Sequence, residues 1–309
     1  MGLNLSLLWG RAFSRKLSAV LCLAGLGNAL SAGVLGQTAP AQVERALALY
    51  DELRAAPGDV ERLALHGALE RGFEEAFASG TGLDVAWEAL QGRMGWAQVG
   101  TGDQALRVIT WNVELEDRTQ RYGGFVVQAD AKSPMGYRAH PLRHLPRSDV
   151  REVGKRFAAD AWPGAVYYQA VLTYERRAPV YTLIGWDGAD GLTTRKVVEV
   201  LELQGGQLRF GAPRIEARGA TQRRLVLEYG DVLSVLLRHD GERIVMDHLS
   251  PRSADVKGVA ALYGPDMTYD ALEWDGKRWN LRENVDVRDP NLQVTFPDPK
   301  APRGRRSPR

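Results

Sequence analysis

Val232-Leu-Ser-Val-Leu-Leu-Arg-His-Asp-Gly-Glu-Arg-Ile-Val-Met-Asp-His-Leu249 decides the fold. Two apolar-rich runs, 232–239 and 242–249, flank Asp240-Gly241. Alternating side chains on either side of an Asp-Gly pair are the mark of an antiparallel hairpin, because Gly accepts the positive φ of a tight turn. A two-residue turn pairs His239 with Glu242, Leu237 with Ile244 and Val235 with Met246. One face then collects Leu233, Val235, Leu237, Ile244, Met246 and His248. The other holds Leu236, Val245 and Asp247. The first face is the more apolar and is the expected core side.

The same signature recurs outward from this hairpin. Asp275-Gly276 joins runs 268–274 and 277–282, and Asp187-Gly188 and Gly205-Gly206 also sit between apolar runs. Further strand-like runs lie at 106–111, 122–129, 165–175, 180–186, 194–203, 207–210, 225–229 and 257–263, about a dozen strands in all. No helix-length pattern separates strands after residue 160, which argues against a parallel α/β sheet. Residues 131–164 carry Pro134, Pro141, Pro146 and Pro163. They read as a long connection with one helix over 148–159. Upstream the period changes to 3.6. Val43, Leu47, Tyr50 and Leu53 mark a helix over 41–56, and Leu65, Leu69, Phe73 and Phe77 a second over 60–78. A short third helix is expected over 84–91. The expected fold is mainly β with N-terminal helices: an antiparallel β-sandwich or a twisted open meander. A propeller-like arrangement is the alternative, but four four-stranded blades need more strands than the chain offers.

The chain divides into residues 1–32, a helical segment 41–96, an antiparallel body 97–293 and a tail 294–309. The first segment holds Arg11, Arg15 and Lys16, then the apolar run Leu17–Gly27, then small residues at 29, 31, 32 and 33. This is the form of a secretory signal peptide, and the apolar run is too short to span a bilayer. Export to the periplasm or beyond is the expectation, with no transmembrane span once the signal is cleaved. Cleavage would also remove Cys22, the single cysteine, leaving a mature chain without disulfides or thiol chemistry. The tail is Arg- and Pro-rich and reads as solvated. Between the two ends, residues 33–293 hold 32 Lys and Arg against 37 Asp and Glu, a net −5, so a nucleic-acid footprint is not expected.

Motifs for common chemistry are missing. There is no Walker loop, no dinucleotide fingerprint, no Gly-x-Ser-x-Gly elbow and no His-Glu-x-x-His. His140-Pro-Leu-Arg-His144 lacks a third ligand nearby. Asp187-Gly-Ala-Asp190-Gly191 lacks the oxygen spacing of a calcium loop. No metal and no cofactor is expected. The most chemical-looking stretch couples Asp247-His248 with Tyr263-Gly-Pro-Asp266-Met-Thr-Tyr269-Asp270. Neighbours on a strand face opposite sides, so Asp247 cannot orient His248. An acid for His248 must come from Asp266 or Asp270, as either a catalytic pair or a structural network. Aromatic residues in or beside strands can stack on sugars or peptides. Trp186, Asp187, Tyr263 and Tyr269 are the candidate ligand-binding residues.

Ile109-Thr-Trp-Asn112, Val180-Tyr-Thr-Leu-Ile-Gly-Trp-Asp-Gly188, Leu227-Glu-Tyr229, Asp247-His-Leu-Ser-Pro251 and Leu262-Tyr-Gly-Pro-Asp-Met-Thr-Tyr-Asp270 together resemble a family of exported, uncharacterised β-rich bacterial proteins of the Bacteroidota type. The resemblance spans residues 100–290. It implies export and a β-rich body, and no assigned activity. The leading expectation is therefore a non-enzymatic envelope protein that binds a glycan, peptide or envelope partner. The alternative is a hydrolase using His248 with Asp266 or Asp270.

Overall fold

The computed structural model describes residues 41–83, 87–146 and 148–286. The expected signal segment and basic tail lie outside the described residues. Two helices, α1 (Ala41–Ala55) and α2 (Asp59–Ala78), are followed by sixteen strands among the described residues. β1 (Gly95–Val99), β2 (Leu106–Glu114), β3 (Gln120–Ala129) and β4 (Tyr137–Arg143) form a four-stranded antiparallel meander. β5 (Phe157–Ala158), β9 (Gln207–Phe210), β8 (Thr193–Gln204), β7 (Ala178–Asp187) and β6 (Val166–Glu175) form the middle sheet, in that order, and β12 (Arg224–Gly230) also pairs with β8. The third sheet runs β11 (Ala220–Gln222), β10 (Ile215–Ala217), β16 (Trp279–Arg282), β15 (Tyr263–Trp274), β14 (Ile244–Pro251) and β13 (Leu237–His239). Only β10 and β16 pair in parallel. None of these sheets closes into a barrel.

Burial explains the layering. The buried faces of the helices, Val43, Tyr50, Leu53, Leu69, Phe73 and Phe77, pack on Ile109, Trp111, Val113, Phe125 and Val127 of the meander. The opposite residues of β2, Leu106 and Val108, pack with Leu183 and Leu201 of the middle sheet. The other face of the middle sheet, Ile184, Val198 and Val200, meets Leu237, Ile244, Met246, Leu272 and Trp279 of the third sheet. Four layers result: helices, meander, middle sheet, third sheet. A strand covered on both faces loses the polar half of its alternation, and β2 accordingly reads Leu-Arg-Val-Ile-Thr-Trp-Asn-Val-Glu, buried over its first eight residues. Gly95 stands where meander and middle sheet meet. A Cβ there would lie 2.6 Å from the Tyr167 carbonyl oxygen and 2.4 Å from Thr110 Oγ1, so the close approach requires glycine.

The hairpin register differs from the expected one. His239 pairs with Ile244 and Leu237 with Met246, leaving a four-residue loop, Asp240–Arg243. The Asp240 carboxylate accepts the N–H groups of Glu242 and Arg243 at 3.1 and 3.0 Å, which favours the longer loop. Asp275-Gly276-Lys277-Arg278 repeats the device, with Trp274 paired to Trp279. Gly205-Gly206 is a two-residue turn, with φ of 60° and 75°.

Other expectations are corrected by tertiary context. The connection 131–164 contains β4 and β5, and 148–159 holds turns and β5 in place of a helix. Pro141 is tolerated in β4 because that strand is a sheet edge. The run 232–239 keeps strand form only at Leu237–His239. Residues 257–263 make 3₁₀ turns before β15 begins at Tyr263. Around 84–91 the only helical piece among the described residues is the turn Glu88–Leu90; 84–86 lie outside them.

Candidate functional site

β14 and β15 are paired from Ile244–Leu272 to Asp247–Tyr269, and again from Leu249–Pro265 to Pro251–Tyr263. Between these stretches His248 faces Asp266, Met267 and Thr268 across a bulge. The Asp266 carboxylate creates the irregularity locally, accepting the Thr268 N–H at 3.1 Å and its hydroxyl at 2.7 Å. Met267 takes φ of 73° and is 91% exposed. A bulge breaks the alternation and re-aims side chains. His248 is thereby left a third exposed instead of packed in the core.

His248, Asp266 and Asp270 come together here. His248 Nδ1 lies 2.9 Å from Asp270 Oδ2, and Nε2 lies 4.0 Å from Asp266 Oδ2. Asp270 is nearly buried, and its other oxygen accepts the Asn284 N–H at 3.1 Å. The hydrogen bond with Asp270 and the charges of Asp270, Asp266 and Glu283 raise the His248 pKa above its ordinary value, against a partial burial that opposes the charge. Burial pushes the Asp266 carboxyl upward, but the Thr268 hydrogen bonds and the His248 charge outweigh it and lower its pKa. Carboxylates thus stand toward both ring nitrogens.

Tyr263 and Tyr269 flank the bulge on β15. The Tyr263 hydroxyl accepts the Gly258 N–H at 3.1 Å, and Tyr269 opposes Asp247. Leu233, Val259, Leu262 and Met267 are exposed in this region, and the Leu233 side chain lies against Gly264. Trp186 and Asp187 are elsewhere, on β7. Asp187 is 6% exposed, and its carboxylate is taken up by Tyr122 Oη at 2.6 Å, Arg195 Nη1 at 2.9 Å and the Ala189 N–H at 3.0 Å. It is a tie between meander and middle sheet, not a ligand contact. Trp186 is partly buried and closes over Gly188 with Gln120. Trp111, Trp162 and Trp279 are fully buried core residues.

Three histidines behave in the opposite way. His66, His140 and His144 are lowered to about 4, burial being the largest cause and neighbouring arginines adding to it. His66 Nδ1 accepts the Trp111 indole N–H at 2.9 Å, and His144 Nδ1 accepts the Tyr122 N–H at 3.3 Å. Each therefore keeps an unprotonated nitrogen. His140 lies on β4 and His144 just beyond it. On an extended chain this four-residue separation is about 13 Å, too far for one metal ion. Among the described residues no group of three His, Cys, Asp or Glu side chains is placed to hold a metal.

One cluster was not singled out from the sequence. Lys196 Nζ lies 4.8 Å over the Tyr168 ring and 3.5 Å from its hydroxyl. Burial lowers its pKa to about 8, with the Asp247 charge opposing the shift. Asp247 is half-buried; burial raises its pKa although it accepts the Leu236 N–H at 2.7 Å. The signal available was a lysine between apolar positions of a strand that is covered on both faces. Away from the bulge, a shallow groove of about 270 Å³ is lined by Glu74, Phe77, Phe125, Met135, Tyr137 and Pro141. Compared with protein-family models, curated proteins and solved structures, the chain matches none.

Proposed function

We propose that this is an exported cell-envelope protein that binds a glycan, peptide or envelope partner at the bulged face of the third sheet and does not turn it over. The observation that carries this reading is the pair of carboxylates facing His248. A general base needs a neutral imidazole with one nitrogen free for the substrate proton. Here Asp270 holds Nδ1, as the acid of a catalytic dyad would, and Asp266 stands 4.0 Å from Nε2, beyond hydrogen-bond reach. What weighs against a base is that both carboxylates raise the pKa and so shift the ring toward the imidazolium relative to a free histidine. A cationic ring beside exposed Met267, on a sheet end that also exposes Leu233 and Leu262, suits recognition of a ligand that is apolar in part and acidic in part. Export rests on the charged start, short apolar run and small-residue exit of residues 1–33, and membership of an exported Bacteroidota-type family on the strings quoted above.

The second reading, a hydrolase using His248 with Asp270 or Asp266, draws on the 2.9 Å contact with a carboxylate that is itself held by a backbone N–H. One experiment separates the two. The mature chain is immobilised and tested for capture from envelope extract and on a glycan array, with a hydrolase substrate panel run in parallel. Binding that Met267→Asp and His248→Ala abolish, without turnover, supports the binding reading. Turnover lost in His248→Ala supports the hydrolase and overturns it.

A further inference from the structure

The far end of the third sheet, away from the bulge, carries a different surface. The β6–β7 hairpin turns through Arg176-Arg177, because Glu175 pairs with Ala178. Both arginines are exposed. Arg176 has φ of 58°, a left-handed conformation in which glycine or asparagine is unstrained and arginine is not. The β15–β16 loop, Asp275–Arg278, lies beside this turn. Arg214 latches the two tips together: Nη2 contacts Glu175 Oε2 at 2.6 Å and Nη1 donates to the Lys277 carbonyl at 2.9 Å. A second latch is Trp274 Nε1, which donates to the Tyr174 carbonyl at 3.2 Å.

Three carboxylates at this end are committed. Glu175 is bonded to Arg214 and Glu216 to Arg278. Asp275 accepts the N–H groups of Lys277 and Arg278 and the Asn280 side-chain amide. Arg176, Arg177 and Lys277 make no direct ion pair among the described residues, although the Glu175 charge acts on Arg176 and Lys277. They stand on a body whose overall charge is negative, so any affinity for an anion here is local. Beside them, Tyr174 is 43% exposed and Trp274 is partly exposed. Tyr174 is the large exposed apolar side chain of this tip. The exposed aliphatic residues Val259, Leu262 and Met267 lie toward the bulge, and among the described residues no large exposed aliphatic side chain stands at the tip.

We propose that the paired tips form a binding site for an acidic polysaccharide. Arg176, Arg177 and Lys277 would neutralise its carboxylates, and Tyr174 and Trp274 would offer faces to its sugar rings. Guanidinium groups pair well with carboxylates, and aromatic faces suit the apolar faces of pyranose rings. The strained Arg176 is consistent with a side chain retained for contact over turn geometry.

The test uses the mature chain and a polygalacturonate oligomer. Neutral dextran supplies rings without charge, and poly-L-glutamate supplies charge without rings. Binding is expected for polygalacturonate, weakening as salt rises, and at least tenfold weaker for either control. Arg176→Gly with Arg177→Gln and Lys277→Gln should lower affinity at least tenfold. Arg176→Gly alone should weaken binding while leaving Tm unchanged or higher, since glycine relieves the positive φ, so lost binding cannot be put down to misfolding. His248→Ala should leave this affinity unchanged, which separates the site from the bulge. Equal binding of poly-L-glutamate, no binding of polygalacturonate, or loss through His248→Ala would each overturn the proposal.

Discussion

The contact between meander and middle sheet and the bulged end of the third sheet both contain charged groups, and they treat them in opposite ways. In the first region each of the largest polar groups is enclosed and bonded. Tyr167 Oη donates to Glu199 at 2.7 Å, Arg224 Nε donates to Glu199 at 2.8 Å, and Arg224 and Glu199 have no exposed side-chain area. Arg224 Nη1 also donates to the carbonyls of Glu152 and Lys155. In the second region His248 and Asp266 are each about a third exposed, and Asp270 beside them is nearly buried. Burial lowers the His66 pKa to about 4, while flanking carboxylates at a partly exposed position raise that of His248. The enclosed polar groups tie the sheets together, and those of the bulge are the ones the proposed binding site uses.

The sharpest way to break this contrast is Glu199→Ala. It strands Arg224 in the interior and should destabilise by about 3–5 kcal/mol, readable as a large drop in denaturation midpoint. A cost under about 1 kcal/mol would mean that solvent reaches the pair and that the region is not enclosed.

A pH series tests the same contrast. His66 has a folded pKa of about 4, below its unfolded value near 6.5. The unfolded chain binds the proton first, so stability is full above pH 6.5 and falls as pH drops toward 4. The loss from His66 should be on the order of a few kcal/mol. His66→Gln, whose side-chain oxygen can still accept the Trp111 N–H, should flatten that acid limb. His248 has the opposite sign. Its stabilisation is present below pH 6.5 and is lost as pH rises through the raised folded value, a small effect at a solvent-screened position.

Smaller effects follow at the hairpin and the bulge. Gly241→Val should cost on the order of 1 kcal/mol, since Gly241 has φ of 112° and a β-branched residue resists it. His248→Ala should cost about 1 kcal/mol or less. A thermal melt that ranks His248→Ala above Glu199→Ala would reverse the assignment of the two regions.

Much of the fold was legible because alternation survives certain errors. The expected hairpin register was off by two residues, and a shift of two preserves which side chains share a face. Leu237, Ile244 and Met246 are accordingly in the core even though their partners differ. The helices were legible from steps of four that reappear as Leu69, Phe73 and Phe77 against Trp87 and Trp111. β4 was hidden by Pro141, because only its edge position makes a proline acceptable. β10 and β11 were hidden by their three-residue length, although Arg218-Gly219, with φ of 54° and 75°, is a tight-turn pair. At the site, Asp266 and Asp270 were legible as partners of His248. Its exposure was not, because a regular strand placed it in the core and the bulge depends on the Asp266–Thr268 bonds. Asp187 misled because a turn-like Asp-Gly pair gives no warning that Tyr122 and Arg195 will enclose the carboxylate.

The proposed role of His248 in recognition requires a raised pKa, which can be read by following the His248 ring resonances by NMR as pH is raised, in the native chain and in Asp270→Asn. A midpoint above 6.5 is expected in the native chain and a lower one in the variant. A native midpoint at or below 6.5 would leave the ring neutral at physiological pH and contradict it.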